Sequence, residues 1–213
     1  VPPLIAHCAF DETSGQTAAD SSGNQQTATF ASTPTWSAGK VGHAIGLTGT
    51  GGMGSVPHSS QFAERSQFTV AFWVNPKNFD GNRRYLLHKA TGSTVAFSVF
   101  SSPYRQLYID LDGSEDRFST ATAFANDTWY HVAVTFDGLE PDPSERVRVY
   151  VNGMLDRIAT ETDATLPEVT TALSIGQNSP TATNSRFNGQ LDDLRLYRGR
   201  VPEWKIKQLA TAP

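Results

Sequence analysis

The sequence predicts an all-β chain: a two-sheet antiparallel β-sandwich, or jelly roll, with one short C-terminal helix. Three observations carry that prediction. Residues 129–153 read as two strictly alternating arms around a polar loop, the period-2 signal of half-buried strands. Roughly a dozen short segments of this kind follow one another, with turn residues about every 8–12 positions, as in sandwiches and jelly rolls. Only Pro202 to Leu209 carries a helical pattern, with Pro at its start as helix openings favour. With 17 Gly and 12 Pro in 213 residues, one domain over 1–213 fits better than two small ones.

The arms at 129–153 organise the rest. In the first, Tyr130, Val132, Val134 and Phe136 face one way, and Trp129, His131, Ala133 and Thr135 the other. In the second, Val147, Val149 and Val151 oppose Arg146, Arg148, Tyr150 and Asn152. Asp137-Gly138 and Asn152-Gly153 close the arms with residues that tolerate positive φ. Met154 to Ala159 continues the meander. Its single apolar face must be buried on a second sheet.

Further strands are expected at Leu4 to Phe10, Thr27 to Phe30, His43 to Leu47 and Phe68 to Val74, the last ended by Pro76. Tyr85 to His88, Val95 to Phe100, Gln106 to Leu111 and Arg117 to Thr120 follow, then Ala172 to Gly176 and Phe187 to Tyr197. Asp11 to Gln26, Trp36 to Gly42, Thr48 to Gly54 and Asn78 to Arg84 read as loops or turns.

Composition narrows the function. The net charge is −4 without a basic cluster, which argues against nucleic acid or an anionic membrane as the main partner. No apolar run approaches the roughly 18–20 residues of a membrane span, so no membrane insertion is expected. Cys8 is the only cysteine. It lies on an apolar strand and reads as a buried, inert thiol. The Pro2-Pro3 start and the Ala-Pro end read as linker ends, so a monomeric module of a larger protein is expected.

A cation site is expected between the first loop and the last strand. Asp192 alternates in phase with Leu194 and Leu196, which would turn a carboxylate toward the apolar side. Asp193 would then share the opposite face with Arg195. The loop Asp20-Ser21-Ser22-Gly23-Asn24 offers closely spaced oxygens. Asp20, Asn24 and Asp192 are the candidate ligands of a structural calcium, with Asp11 or Glu12 as weaker ones.

Four stretches together resemble a known family: AFDETSG…ADSSGN at 9–24, FTVAFWVNP at 68–76, WYHVAVTFDG…VYVNG at 129–153, and FNGQLDDLRLYRGRV at 187–201. They resemble the laminin G-like branch of the concanavalin A-like lectin/glucanase jelly rolls, most closely the bacterial form. The resemblance implies the sandwich fold and points to calcium, since many jelly rolls of this kind hold a cation between first loop and last strand. It leaves function open among lectins, adhesion modules, lyases and hydrolases. Trp73 and Trp129 match framework positions, and His131 sits where the pattern carries its own histidine.

For an enzyme, Glu140-Pro-Asp142-Pro-Ser-Glu145 repeats the E-x-D-x-x-E spacing of the jelly-roll β-glucanases. Pro141 and Pro143 exclude a central strand there. A polysaccharide lyase would need a base near a cation, and His131, Arg148 and Tyr150 fall on polar faces of neighbouring strands. No catalytic residue is assigned. A binding site instead combines aromatic platforms with polar side chains. Candidate platforms are Trp36, Phe79, Tyr85, Tyr104 and Trp204, with Arg83, Arg84, Arg105 and Asp80 as polar partners. The expected ligand set is Phe79, Arg83, Arg84, Tyr104 and Arg105. The expected function is a calcium-stabilised, non-catalytic carbohydrate-binding module of a secreted or cell-surface protein, with a polysaccharide or glycan as partner. A lyase or hydrolase and a protein-adhesion module are the alternatives.

Overall fold

A computed structural model describes residues 1–77, 79, 82–113, 117–179, 181 and 183–211. Strand β1 spans Leu4–Cys8, β2 Thr17–Ala18, β3 Ala28–Phe30, β4 Thr35–Ala38, β5 His43–Thr48 and β6 Gly54–Val56. Next come β7 Gln67–Pro76, β8 Arg84–Thr91, β9 Thr94–Ser101, β10 Leu107–Leu111 and β11 Phe118–Ser119. The last are β12 Tyr130–Asp137, β13 Val147–Val151, β14 Met154–Ala159, β15 Leu173–Ile175 and β16 Asn188–Tyr197, followed by helix α1, Glu203–Ala210. That helix is too short to cross a membrane, and no other described helix is long and apolar enough.

The strands form two antiparallel sheets. The first runs β14-β13-β12-β7-β16-β5-β4, with β1 added to β16. The second runs β11-β10-β9-β8-β15-β6-β3-β2. The alternation read from sequence explains the layers. Val132, Val134 and Phe136 on β12 pair with Phe72, Val70 and Phe68 on β7, and with Val151, Val149 and Val147 on β13. All of these are buried. They face Phe97, Val99, Leu107 and Ile109 of the second sheet, and Phe68 stacks on Phe97 at 5.2 Å between ring centres. Each such side chain contributes about 1.5–3 kcal/mol when fully buried.

The outer face of the first sheet is not left to water. Ala71, Ala133, Tyr150 and Tyr197 pack under Val201, Ile206 and Leu209 around α1. Alanine at both 71 and 133, directly opposite each other on β7 and β12, leaves room for that layer. Cys8 is fully buried, and burial pushes its thiol up to about 12.

Several local expectations change. Thr35–Ala38, which overlaps the expected turn region 36–42, is a strand on the edge of the first sheet. The long first loop contains β2. Asn152 and Gly153 do take positive φ, 50° and 77°. Gly138 does not; glycine is needed there because a Cβ would lie 1.9 Å from the Ala164 carbonyl oxygen. The largest correction is at the last strand. A bulge between Asp192 and Arg195, with Asp193 at φ 49°, adds one residue to β16. Leu191 pairs with Val74, but Asp192 pairs with Trp73 and Arg195 with Ala71. Asp192 thus leaves the phase of Leu194 and Leu196 and lies on the outer face with Trp73.

Candidate functional site

The second sheet leaves its outer face uncovered by any described helix, and its register aligns two rows there. Residues directly opposite on paired strands share a face. Thr17, Thr29, Ser55, Ser174, His88, Ser98 and Asp110 are successive partners from β2 to β10. Beside them run Tyr85, Phe100, Tyr108 and Ser119. Both rows lie opposite the core residues Val99, Leu107 and Ile109, so they point out of the sandwich.

The second row is an aromatic ledge. Phe100 is 5.0 Å from Tyr85 and 5.7 Å from Tyr108, ring centre to ring centre. Tyr85 also meets the His88 ring edge-on at 5.1 Å. Phe100 is itself buried, while Tyr85 and Tyr108 stay partly exposed. Arg83 places its guanidinium 5.4 Å from the Phe100 ring centre. Together with Ser102, Pro103 and Tyr108 they line a recess of about 260 Å³.

The polar row is buried at one end and open at the other. Ser98 and Asp110 are 1% and 6% exposed, whereas Thr17 and Thr29 are exposed. Burial lowers the His88 pKa, so its ring is neutral and shares a 2.7 Å hydrogen bond with Ser98 Oγ through Nδ1. Burial raises the Asp110 pKa, opposed by Arg117, whose Nε donates to Oδ2 at 3.1 Å. Asp110 Oδ1 is buried and has no side-chain hydrogen-bond partner among the described residues. The face thus offers flat apolar rings and neutral hydroxyls.

The structure brings some of the expected ligand set to this face. Arg83 is at the recess. Tyr104 and Arg105 sit on the adjoining turn, Tyr104 at 73% exposure and Arg105 at φ 59° with its carbonyl accepting from Phe124 N. Phe79 instead packs against the core and meets Phe124 at 6.5 Å. Arg84 Nη1 donates to the Asn184 carbonyl. Asp80, Asn78 and Gly81 lie outside the described residues. Among the other platforms, Trp36 packs on the core and donates to the Gly15 carbonyl, and Trp204 is exposed on α1. Phe100 and Tyr108, the centre of the ledge, were not singled out from sequence.

The carboxylate motif lies in a hairpin loop between β12 and β13. Asp142 caps the 3-10 turn Pro143–Glu145, accepting from Ser144 N and Oγ, which lowers its pKa. Glu145 pairs with Arg148 at 2.9 Å. Two of the three lyase candidates are enclosed, and Arg148 is partly exposed. Tyr150 lies under α1, and His131 is 1% exposed, edge-on to Trp73 at 5.3 Å. Burial holds the His131 pKa down, to about 4.

The expected calcium ligands answer to other partners. Asp20 Oδ1 accepts from His7 N and Ser22 N, and Oδ2 from Ser22 Oγ and Gln26 N. Those donors hold its pKa below the ordinary value against desolvation. Asn24 turns its amide nitrogen to the carbonyls of Leu4 and Ile5. Asp192 Oδ2 accepts from the amides of Lys40 and Val41, both at 2.8 Å, and Asp11 Oδ1 from His43 N. Glu12 Oε1 accepts from Ala19 N. One acidic group does converge: oxygens of Asp112, Glu161 and Asp163 lie within 4.8 Å of one another. Glu161 is buried and accepts from Asp163 N, while Arg146 holds the carbonyls of Glu161 and Thr162. Three carboxylates are a hard-oxygen set that suits calcium or magnesium.

Fold and site together define a two-sheet jelly roll with an open, aromatic-edged face on its second sheet. The chain belongs to the concanavalin A-like lectin/glucanases superfamily, whose model matches residues 47–206. No curated protein matches it in sequence. Solved structures resemble it in fold. Domain 4 of AbnA, a GH43 extracellular arabinanase from Geobacillus stearothermophilus in complex with arabinotriose, is 22% identical at a TM-score of 0.74, covering 99% of each chain. Trypanosoma rangeli sialidase in complex with sialic acid is 19% identical at 0.72, covering 98% of this chain and 32% of that one. The binding domain of Paraclostridial Mosquitocidal Protein 1 is 15% identical at 0.73, covering 94% and 52%. This chain therefore spans about a third of the sialidase and about half of the toxin structure.

Proposed function

We propose that this chain is a non-catalytic, lectin-like module of a secreted or cell-surface protein, and that it binds a polysaccharide or glycan on the outer face of the second sheet. The observation that carries the reading is the aromatic ledge Tyr85-Phe100-Tyr108 beside the polar row through His88, Ser98 and Asp110. A sugar ring lays its C–H face on an aromatic ring and turns its hydroxyls to nearby polar atoms. The arabinotriose and sialic acid in the solved relatives support the ligand class, and the arabinanase is an extracellular one. A structural calcium belongs to the same reading. Its seat in this reading is Asp112, Glu161 and Asp163, whose oxygens converge within 4.8 Å of one another.

A glycan array identifies the ligand, and two substitutions then locate it. Tyr85→Ala and Tyr108→Ala are each expected to weaken retention by about 2 kcal/mol, as for an interface aromatic. Trp204→Ala on α1 should leave it unchanged. Full retention by both tyrosine variants would remove the site from this face.

A further inference from the structure

Lys89 on β8 pairs with Phe97, the residue that stacks on Phe68 inside the sandwich. The register thus turns a lysine inward, and it is only 3% exposed. Its Nζ donates to the Thr171 carbonyl at 2.7 Å, lies 3.3 Å from His58 Nδ1, and stands 4.4 Å from the Phe62 ring centre. An ammonium carries three donors, and among the described residues two of them meet a hydrogen-bond acceptor. Buried charges are normally paired. No carboxylate forms an ion pair with Lys89 among the described residues.

The same lysine lines a cavity of about 230 Å³ between the sheets, with Phe68, Phe97, Leu166 and Leu196 among its walls. That space equals roughly eight waters at about 30 Å³ each, the bulk of an acid of about six to eight carbons. The other ionisable groups on it are His58, Glu64, Arg65, Glu168 and Tyr197. Glu64 is engaged by Ser66 N and Oγ, and Arg65 donates to the Leu166 carbonyl. Burial and Lys89 lower the His58 pKa, so His58 is neutral and its Nδ1 accepts from the lysine. Burial brings the Lys89 pKa down to about 8, which leaves most of it charged at neutral pH.

The geometry points to a second binding site: this cavity takes a small amphipathic acid, its carboxylate on Lys89 and its hydrocarbon body between Phe68, Phe97 and Leu196. The site lies between the sheets and is independent of the face proposed for sugars. A small inorganic anion would leave the apolar walls uncovered, and a neutral alcohol would bring no charge to compensate the ammonium.

The test is calorimetric titration of the full chain with octanoate and with octanol at neutral pH. Octanoate should bind at one site per chain, and octanol about tenfold or more weaker. Lys89→Met keeps the bulk and removes the charge, and should erase that preference. Raising the pH about two units above 7 should weaken octanoate, not octanol, in the unaltered chain, which tests the idea even if Lys89→Met fails to fold. Hydrogen exchange should slow in segments 58–69 and 164–171 on binding. No saturable octanoate binding, equal affinity for acid and alcohol, or protection on the outer face of the second sheet would each overturn the proposal.

Discussion

Asp192 shows how one backbone irregularity redirects a side chain. The positive φ at Asp193 carries it out of the core and onto the face of Trp73. There, burial raises its pKa to about 7 although the Lys40 and Val41 amides pull the other way. The folded chain therefore holds this proton more tightly than the unfolded one. That stabilisation is complete below about pH 4 and is lost as the pH rises to about 7. Asp192→Asn removes the titration. The stability of the natural chain relative to the variant should drop by at least about 1.4 kcal/mol, one pKa unit's worth, between those limits. Urea unfolding of both proteins across the window measures it, and a flat difference would count against a buried, proton-binding Asp192.

At the scale of elements, the outer layer on the first sheet depends on α1. Ile206 is fully buried over Ala71 and Ala133. Ile206→Ala should cost about 2–5 kcal/mol in denaturant unfolding, as buried truncations do. Sugar retention at a temperature where the variant stays folded should survive, because the ledge is on the other sheet. The sequence announced the elements better than their surroundings. Phe68 to Val74 and Tyr130 to Phe136 alternate cleanly, so their core faces were legible. The bulge in β16 left no trace because its positive φ falls on an aspartate rather than a glycine. Of the ledge only Tyr85 stood out in the sequence, and its joining with Phe100 and Tyr108 was not legible, for a different reason. Tyr85, Phe100 and Tyr108 come one from each of three strands, and alternation says which face a residue takes but not which neighbour it meets. Arg83 stood out in the sequence because it sits on a polar loop, whereas the inward turn of Lys89 had no sequence signal and comes from the register.

For the whole molecule, the acidic group Asp112, Glu161 and Asp163 joins the turn after β10 to the segment after β14. An ion there would tie the two sheets together. Calcium at a hundred times its dissociation constant should add about 2.7 kcal/mol to stability. A thermal melt with calcium and with chelator reads this directly. Asp163→Asn should abolish the difference, while Asp20→Asn should lower the melting temperature equally in both conditions by breaking its loop. An unchanged midpoint in the unaltered chain would leave the acidic group without a cation. The lone thiol of Cys8 lends itself to a further use. It lies at the seam where β1 meets β16, fully enclosed, with its pKa at about 12. In the native state neither a thiolate nor an approach path is offered to an alkylating reagent. Its labelling rate is therefore a built-in stopwatch for the opening of that seam, and every ligand that binds only the closed molecule should slow it in proportion to occupancy.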